Sequence, residues 1–187
     1  MELLPLSIDG AFEIIPKSFV DDRGSFTTTY DETIFAKAGL STRWVADNQS
    51  FNHHRGTLRG LHFQRYPSAQ SKFVRALTGA VFDVFVDLRP DSPTFLRCAT
   101  VELNDKRNNG VYIPKGCAHG YLTLEDRSIV SYKVDALYDP KSEGGFAWNE
   151  QAFGIIWPDG ENLIISAKDM NWPEFDPSQN PFAERKG

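Results

Sequence analysis

Two imidazoles and one ammonium dominate the chemistry this chain could perform. His62 lies in a segment running from Gly56 to Gly79, and His119 closes a second one that begins at Gly110 and passes through Pro114 and Gly116. Lys72 sits inside the first segment. Imidazole takes up or releases a proton near neutral pH. An ammonium fixed beside it would stabilise the anion left behind when a proton departs. Gln64 and Lys72 argue against a bound transition metal, because a neutral amide is a poor ligand and an ammonium repels the cation. Proton transfer is the chemistry these residue types fit.

Such groups need a rigid frame, and the frame reads as β structure. Short β-like runs separated by turn residues extend from Ala11 to about Trp148, which predicts an all-β sandwich or barrel. The clearest strand covers 81–89. By period-2 alternation Phe82, Val84, Val86 and Leu88 share one face, while Asp83, Phe85, Asp87 and Arg89 share the other. A polar second face fits a strand lining a cavity or solvent. Further strands are expected over 58–64, 73–77, 94–103, 111–113, 120–124 and 129–137, with turns at 89–93 and 104–110. Asp31 is placed to cap a short peripheral helix over 31–37, and a second short helix is expected near 167–170. The tail after about 173, with its prolines, is expected to pack loosely.

A chain of 187 residues fits one domain over 1–187 and can bury a full core without disulfides. Cys98 and Cys117 have no paired-motif spacing and read as reduced core thiols. The net charge of −5 gives no global attraction to nucleic acid or an anionic membrane. The opening stretch lacks a cationic leader, and its apolar run is too short for a signal peptide or membrane span. These features predict a cytoplasmic protein.

Several ordered motifs carry a resemblance. They are Asp22-Arg23-Gly24-Ser25-Phe26, Leu58-Arg59-Gly60-Leu61-His62-Phe63-Gln64, Asp83-Val84 with Asp87-Leu88-Arg89, Ser92-Pro93-Thr94-Phe95, and Ile113-Pro114-Lys115-Gly116 with Ala118-His119-Gly120. Together with Tyr132-Lys133, Tyr138, Trp148-Asn149, Trp157-Pro158 and Lys168-Asp169, they resemble the nucleotide-sugar 3,5-epimerases over about positions 11–170. The segments around His62 and His119 also resemble the two motifs of a metal-binding cupin, in which positions 64 and 72 would hold His and Glu. The resemblance therefore implies a metal-free cupin, a jelly-roll β-sandwich needing no cofactor. It also implies a homodimer with exchanged N-terminal strands.

That family acts on nucleotide-linked 4-keto sugars, whose C–H bonds at C3 and C5 are acidified by the ketone. By resemblance His62 is the base, Tyr132 the acid across the ring, Lys72 the cation beside the enolate oxygen, and Asp169 the carboxylate orienting His62. Asp83 is a rival or additional carboxylate for one of the histidines. Arg59 would meet a diphosphate, His119 a phosphate or the sugar, Arg23 would reach the neighbouring subunit's site, and Asn48 and Lys168 are further candidates. Phe26 and Tyr138 would lie near the nucleotide base. Thr28 and Ala46 stand where the family's usual motifs carry Glu and Gln. The resemblance implies a dTDP sugar as the first choice, while these two departures leave CDP and GDP sugars open; inversion at C3, C5 or both is open as well. A 3,4-ketoisomerase, a sugar-nucleotide-binding module and a metal-dependent cupin are the other readings of the same scaffold.

Overall fold

The computed structural model describes residues 1–158 and 162–183. In chain order the strands are β1 (Glu2–Pro5), β2 (Phe12–Ile15), β3 (Ser18–Asp21), β4 (Gly24–Thr27), β5 (Ala46–Asn52), β6 (Thr57–Gln64) and β7 (Lys72–Thr78). They continue with β8 (Ala80–Asp87), β9 (Cys98–Asn104), β10 (Gly110–Ile113), β11 (Cys117–Thr123), β12 (Ser128–Val134), β13 (Glu143–Gly145) and β14 (Ile164–Ile165). One sheet runs β1-β2-β10-β7-β12-β5 and a second runs β13-β6-β11-β8-β9, with β14 added beside β6. The pair β3–β4 forms a separate hairpin. The all-β sandwich expected from the alternating runs is the architecture observed.

The strand β8 shows how alternation builds the layers. Its odd positions Val81 and Phe85 enter the core between the sheets, together with Val74, Val101, Val111 and Val130. Val86 packs on the opposite face against Leu61, Phe63 and Leu88. Both faces are therefore covered, and Asp83 is fully buried. The outer face of the first sheet is closed by helix α1 (Glu32–Lys37), whose N-cap Asp31 accepts a hydrogen bond from the Ile34 amide. That helix drives Phe35 edge-on against Phe73 and Tyr112.

Three sequence expectations are corrected. The run expected over 94–103 becomes strand only at Cys98, because the Ser92 and Thr94 hydroxyls both donate to the Asp87 carboxylate and hold the preceding residues in a turn. The run over 129–137 ends at Val134, where the Gln70 and Gln64 amides take the Ala136 and Leu137 carbonyls. The tail after about 173 is not loose through Ala183. Phe175 and Phe182 are buried against Phe63 and Phe146, and Asn180 Nδ2 donates to the Leu88 carbonyl at 3.0 Å. The apolar outer face of the second sheet has to be covered, and the tail covers it. Positions 184–187 lie outside the described residues.

Cys98 and Cys117 are free thiols, and burial pushes Cys98 up to about 11. Among the described residues no helix is long and apolar enough to cross a membrane.

Candidate active site

Strands β6 and β11 lie side by side with His62 directly opposite His119. The register then shifts, so that Tyr121 faces Arg59: three steps along β6 match two along β11. Regular alternation would send His62 and Arg59 to opposite faces. The extra residue in β6 brings both to the same cavity. Glycine makes the close approach feasible, since a Cβ on Gly60 would lie 2.5 Å from the Gly120 Cα and one on Gly120 2.7 Å from the Arg59 carbonyl.

His62 Nε2 lies 2.7 Å from Asp169 Oδ1. Asp169 rides on the short helix α2 (Ala167–Met170), whose N-cap Ser166 accepts from the Asp169 amide. The Gly60 amide approaches its other oxygen at 3.4 Å, and Trp172 Nε1 donates to Oδ1 at 3.3 Å. Burial pushes the Asp169 carboxyl up, but the bonds from His62, Gly60 and Trp172 outweigh it and hold it below its usual range. An ionised carboxylate thus holds the ring. Trp172 reaches this position because residue 145 is glycine, where a Cβ would meet the indole at 2.5 Å.

A second imidazole–carboxylate pair stands beside the first. His119 Nε2 is 2.9 Å from Asp83 Oδ2, and both side chains are buried. Burial lowers the His119 pKa, and the attraction of Asp83 offsets this only in part, so the ring is neutral at pH 7. Asp83 is thereby the carboxylate of His119, as Asp169 is that of His62. Its other oxygen has no hydrogen-bond partner among the described residues. Lys72, on the facing sheet, is 9% exposed; burial pushes its ammonium down to about 8 against the pull of Asp83. Tyr132 also comes from that sheet, and burial raises its phenol while nearby Arg59 opposes the rise.

The donor set does not fit a divalent metal. Beside the two imidazoles the cavity presents the Lys72 ammonium, which repels a cation, and its one lining carboxylate, Asp169, is engaged by His62. Gln64 gives its amide N–H groups to the Ser68 and Leu137 carbonyls and accepts from the Asp139 amide, so its side chain serves the loops. Among the described residues no group of three His, Cys, Asp or Glu side chains is placed to hold a metal ion.

A family model described as dTDP-4-dehydrorhamnose 3,5-epimerase matches residues 5–177. The chain belongs to this epimerase family. The enzyme of that name from Methanothermobacter thermautotrophicus is 46% identical over 168 residues, spanning 89% of this chain and 90% of the relative. The crystal structure of the Elizabethkingia anophelis enzyme superposes with a TM-score of 0.90 at 38% identity, covering 96% of this chain and 98% of that one. The Bacillus anthracis enzyme, solved with TDP and PPi bound, gives 0.89 at 38% identity, with 93% and 99% covered. The cupin-type sandwich implied by the sequence motifs is shared with these epimerases.

Of the residues singled out in the sequence, the cavity of this epimerase-family chain gathers Arg59, His62, Lys72, His119, Tyr132 and Asp169. Five others lie elsewhere in the single chain. Arg23 and Phe26 are on the exposed β3–β4 hairpin, with Arg23 paired to Asp21. Asn48 is exposed on β5, in register with Tyr132. Tyr138 and Lys168 converge on Glu143, at 2.8 and 2.6 Å, on the strand beside β6. Sequence reasoning missed Ser50 and Tyr121, which line the cavity, and Trp172, which braces Asp169. Tyr121 follows His119 by two positions, so strand alternation alone puts both on one face. No comparable local signal marked Trp172.

Proposed function

We propose that this chain epimerises a dTDP-linked 4-keto-6-deoxyhexose at C3 and C5 by proton removal and return through an enolate. The observation carrying this reading is the placement of the His62–Asp169 pair and of Tyr132 with Lys72 on facing sheets around one cavity. Nε2 of His62 is held by Asp169, which leaves Nδ1 to take the proton from carbon. The electron pair of the broken C–H bond moves into the ring and onto the C4 oxygen, where the Lys72 ammonium stabilises it. Tyr132 then delivers its phenolic proton to the opposite face of the same carbon. Its raised pKa keeps that proton in place until it is needed. Solvent restores the tyrosine proton and removes the one on His62, so each turnover at a centre exchanges one hydrogen with water.

Arg59 is assigned to the diphosphate. His119 is neutral and gives its Nε2 proton to Asp83, so its Nδ1 is an acceptor suited to a sugar hydroxyl rather than to phosphate. The bound TDP named for the Bacillus anthracis structure supports thymidine as the base. The enzyme is assigned to the cytoplasm.

A homodimer completes the reading. The β3–β4 hairpin exposes Phe19 at 59%, Val20 at 78% and Phe26 at 71%, an apolar surface suited to a second copy. Arg23 and Phe26 would then serve the partner's cavity. Sedimentation is expected at twice 21.1 kDa, and Phe26→Asp should yield monomer with weakened dTDP binding. A monomeric wild-type protein would remove this part of the proposal.

Conversion of dTDP-4-keto-6-deoxyglucose, followed by proton NMR of the product ring, tests the activity. Inverted couplings at C3 and C5 with the ketone still at C4 are expected. A ketone moved to C3 would identify a 3,4-ketoisomerase, and an unchanged sugar that binds would identify a binding module. Tyr132→Phe is expected to keep hydrogen removal by His62 but to slow formation of the inverted product by about a hundredfold, the scale of a lost general acid. Equal loss of exchange and inversion in that variant would reassign Tyr132.

A further inference from the structure

We propose that Asn52 is a positioning residue that aims Arg59 at the substrate diphosphate, holding the guanidinium by its Nε edge so that the two terminal amino groups face the cavity. This rests on the assignment of Arg59 to the diphosphate.

Arg59 is an exposed side chain on β6. Left untethered, a long arginine samples many rotamers and loses that freedom when it grips a ligand. Its Nε donates to Asn52 Oδ1 at 2.9 Å. Asn52 is 1% exposed and cannot itself move freely. Its Nδ2 donates to the Ser128 carbonyl at 3.1 Å, and the Tyr121 hydroxyl donates to the same Oδ1 at 3.3 Å. Tyr121 is fixed in turn by Ser50 at 2.7 Å. Asn52 ends β5, the edge strand of one sheet, while Arg59 belongs to the other, so the bond is a strut across the mouth of the sandwich.

The choice of an amide is informative. Arg23, Arg89 and Arg107 are each paired with a carboxylate; Arg59, like Arg65, makes no ion pair among the described residues and is held by a neutral acceptor. A neutral acceptor orients the guanidinium without spending its charge, and the fork beyond Nε stays available for two phosphate oxygens. Burial keeps the Tyr121 phenol protonated, so it remains a donor to Asn52 rather than a competing anion.

The test is a double-mutant cycle on dTDP affinity, measured by calorimetry. Asn52→Ala is expected to weaken dTDP about tenfold where Arg59 is present, and less than about twofold in an Arg59→Ala background. Asn52→Asp should weaken dTDP at least as much, because it keeps the bond but neutralises the guanidinium. In turnover the loss should fall on KM more than on kcat. The same factor lost in both backgrounds, or wild-type affinity in Asn52→Ala, would overturn the positioning role. Wild-type affinity in Arg59→Ala would instead sink the diphosphate assignment beneath it. Should Asn52→Ala fail to fold, Tyr121→Phe removes a single hydroxyl and is expected to cost two- to threefold with the same dependence on Arg59; an effect independent of Arg59 would again contradict the proposal.

Discussion

His62→Ala is expected to abolish hydrogen exchange at both C3 and C5 of the 4-keto sugar, a loss of about 10³-fold or more in rate, in the range of general-base catalysis coupled to its orienting carboxylate. One imidazole is held by Asp169 at 2.7 Å beside the open cavity, while the other is buried and committed to Asp83. His119 is therefore not placed to substitute. Asp169→Asn should also cost activity, because an amide presents either a weaker acceptor or a competing donor to Nε2. His62 is partly exposed, so its truncation removes little packing, and the loss of thermal stability should be confined to the bond it gives the buried Asp169 and be far smaller than the loss of activity. That separation of activity from stability is what distinguishes a base from a packing residue. Near wild-type exchange in His62→Ala would show that the base lies elsewhere.

The second large effect concerns Lys72. Lys72→Met keeps the shape of the side chain and removes its charge, and is expected to lower kcat by about 10²- to 10³-fold, the scale of losing one preorganised charge at a developing oxyanion. Folding should survive, since a buried ammonium is costly to desolvate and the thioether is not. The pH dependence gives an independent sign. With its pKa pushed down to about 8 by burial, Lys72 is charged below that value and neutral above it. The rate should therefore fall as pH rises through about 8, and Lys72→Met should lack that alkaline limb. An identical limb in the variant would assign it to another group.

Much of the frame could be read locally. The alternation along β8 places Asp83 and Val86 on opposite faces, as the packing has them. The link between His62 and Asp169 spans 107 positions, and no local pattern contains it; only the family motifs placed it. Arg59 illustrates a different limit. Period-2 reading assigns it to the face opposite His62, and the irregular register beside Gly60 reverses that. Asn52, Tyr121 and Trp172 act through hydrogen bonds across sheets, which depend on register and layer spacing rather than on neighbours in sequence. The packing of the tail is not legible locally, because its phenylalanines are few and scattered and their burial depends on an apolar sheet face formed far upstream.

On the proposed mechanism this cavity removes and returns protons at two carbons while the ketone stays where it is. Incubation of the wild-type protein with dTDP-4-keto-6-deoxyglucose in deuterated water, followed by NMR of the sugar, addresses it directly. Deuterium at C3 and C5 with the carbonyl retained at C4 is the predicted result. A sugar recovered with hydrogen at both carbons, or with its carbonyl moved, would contradict it.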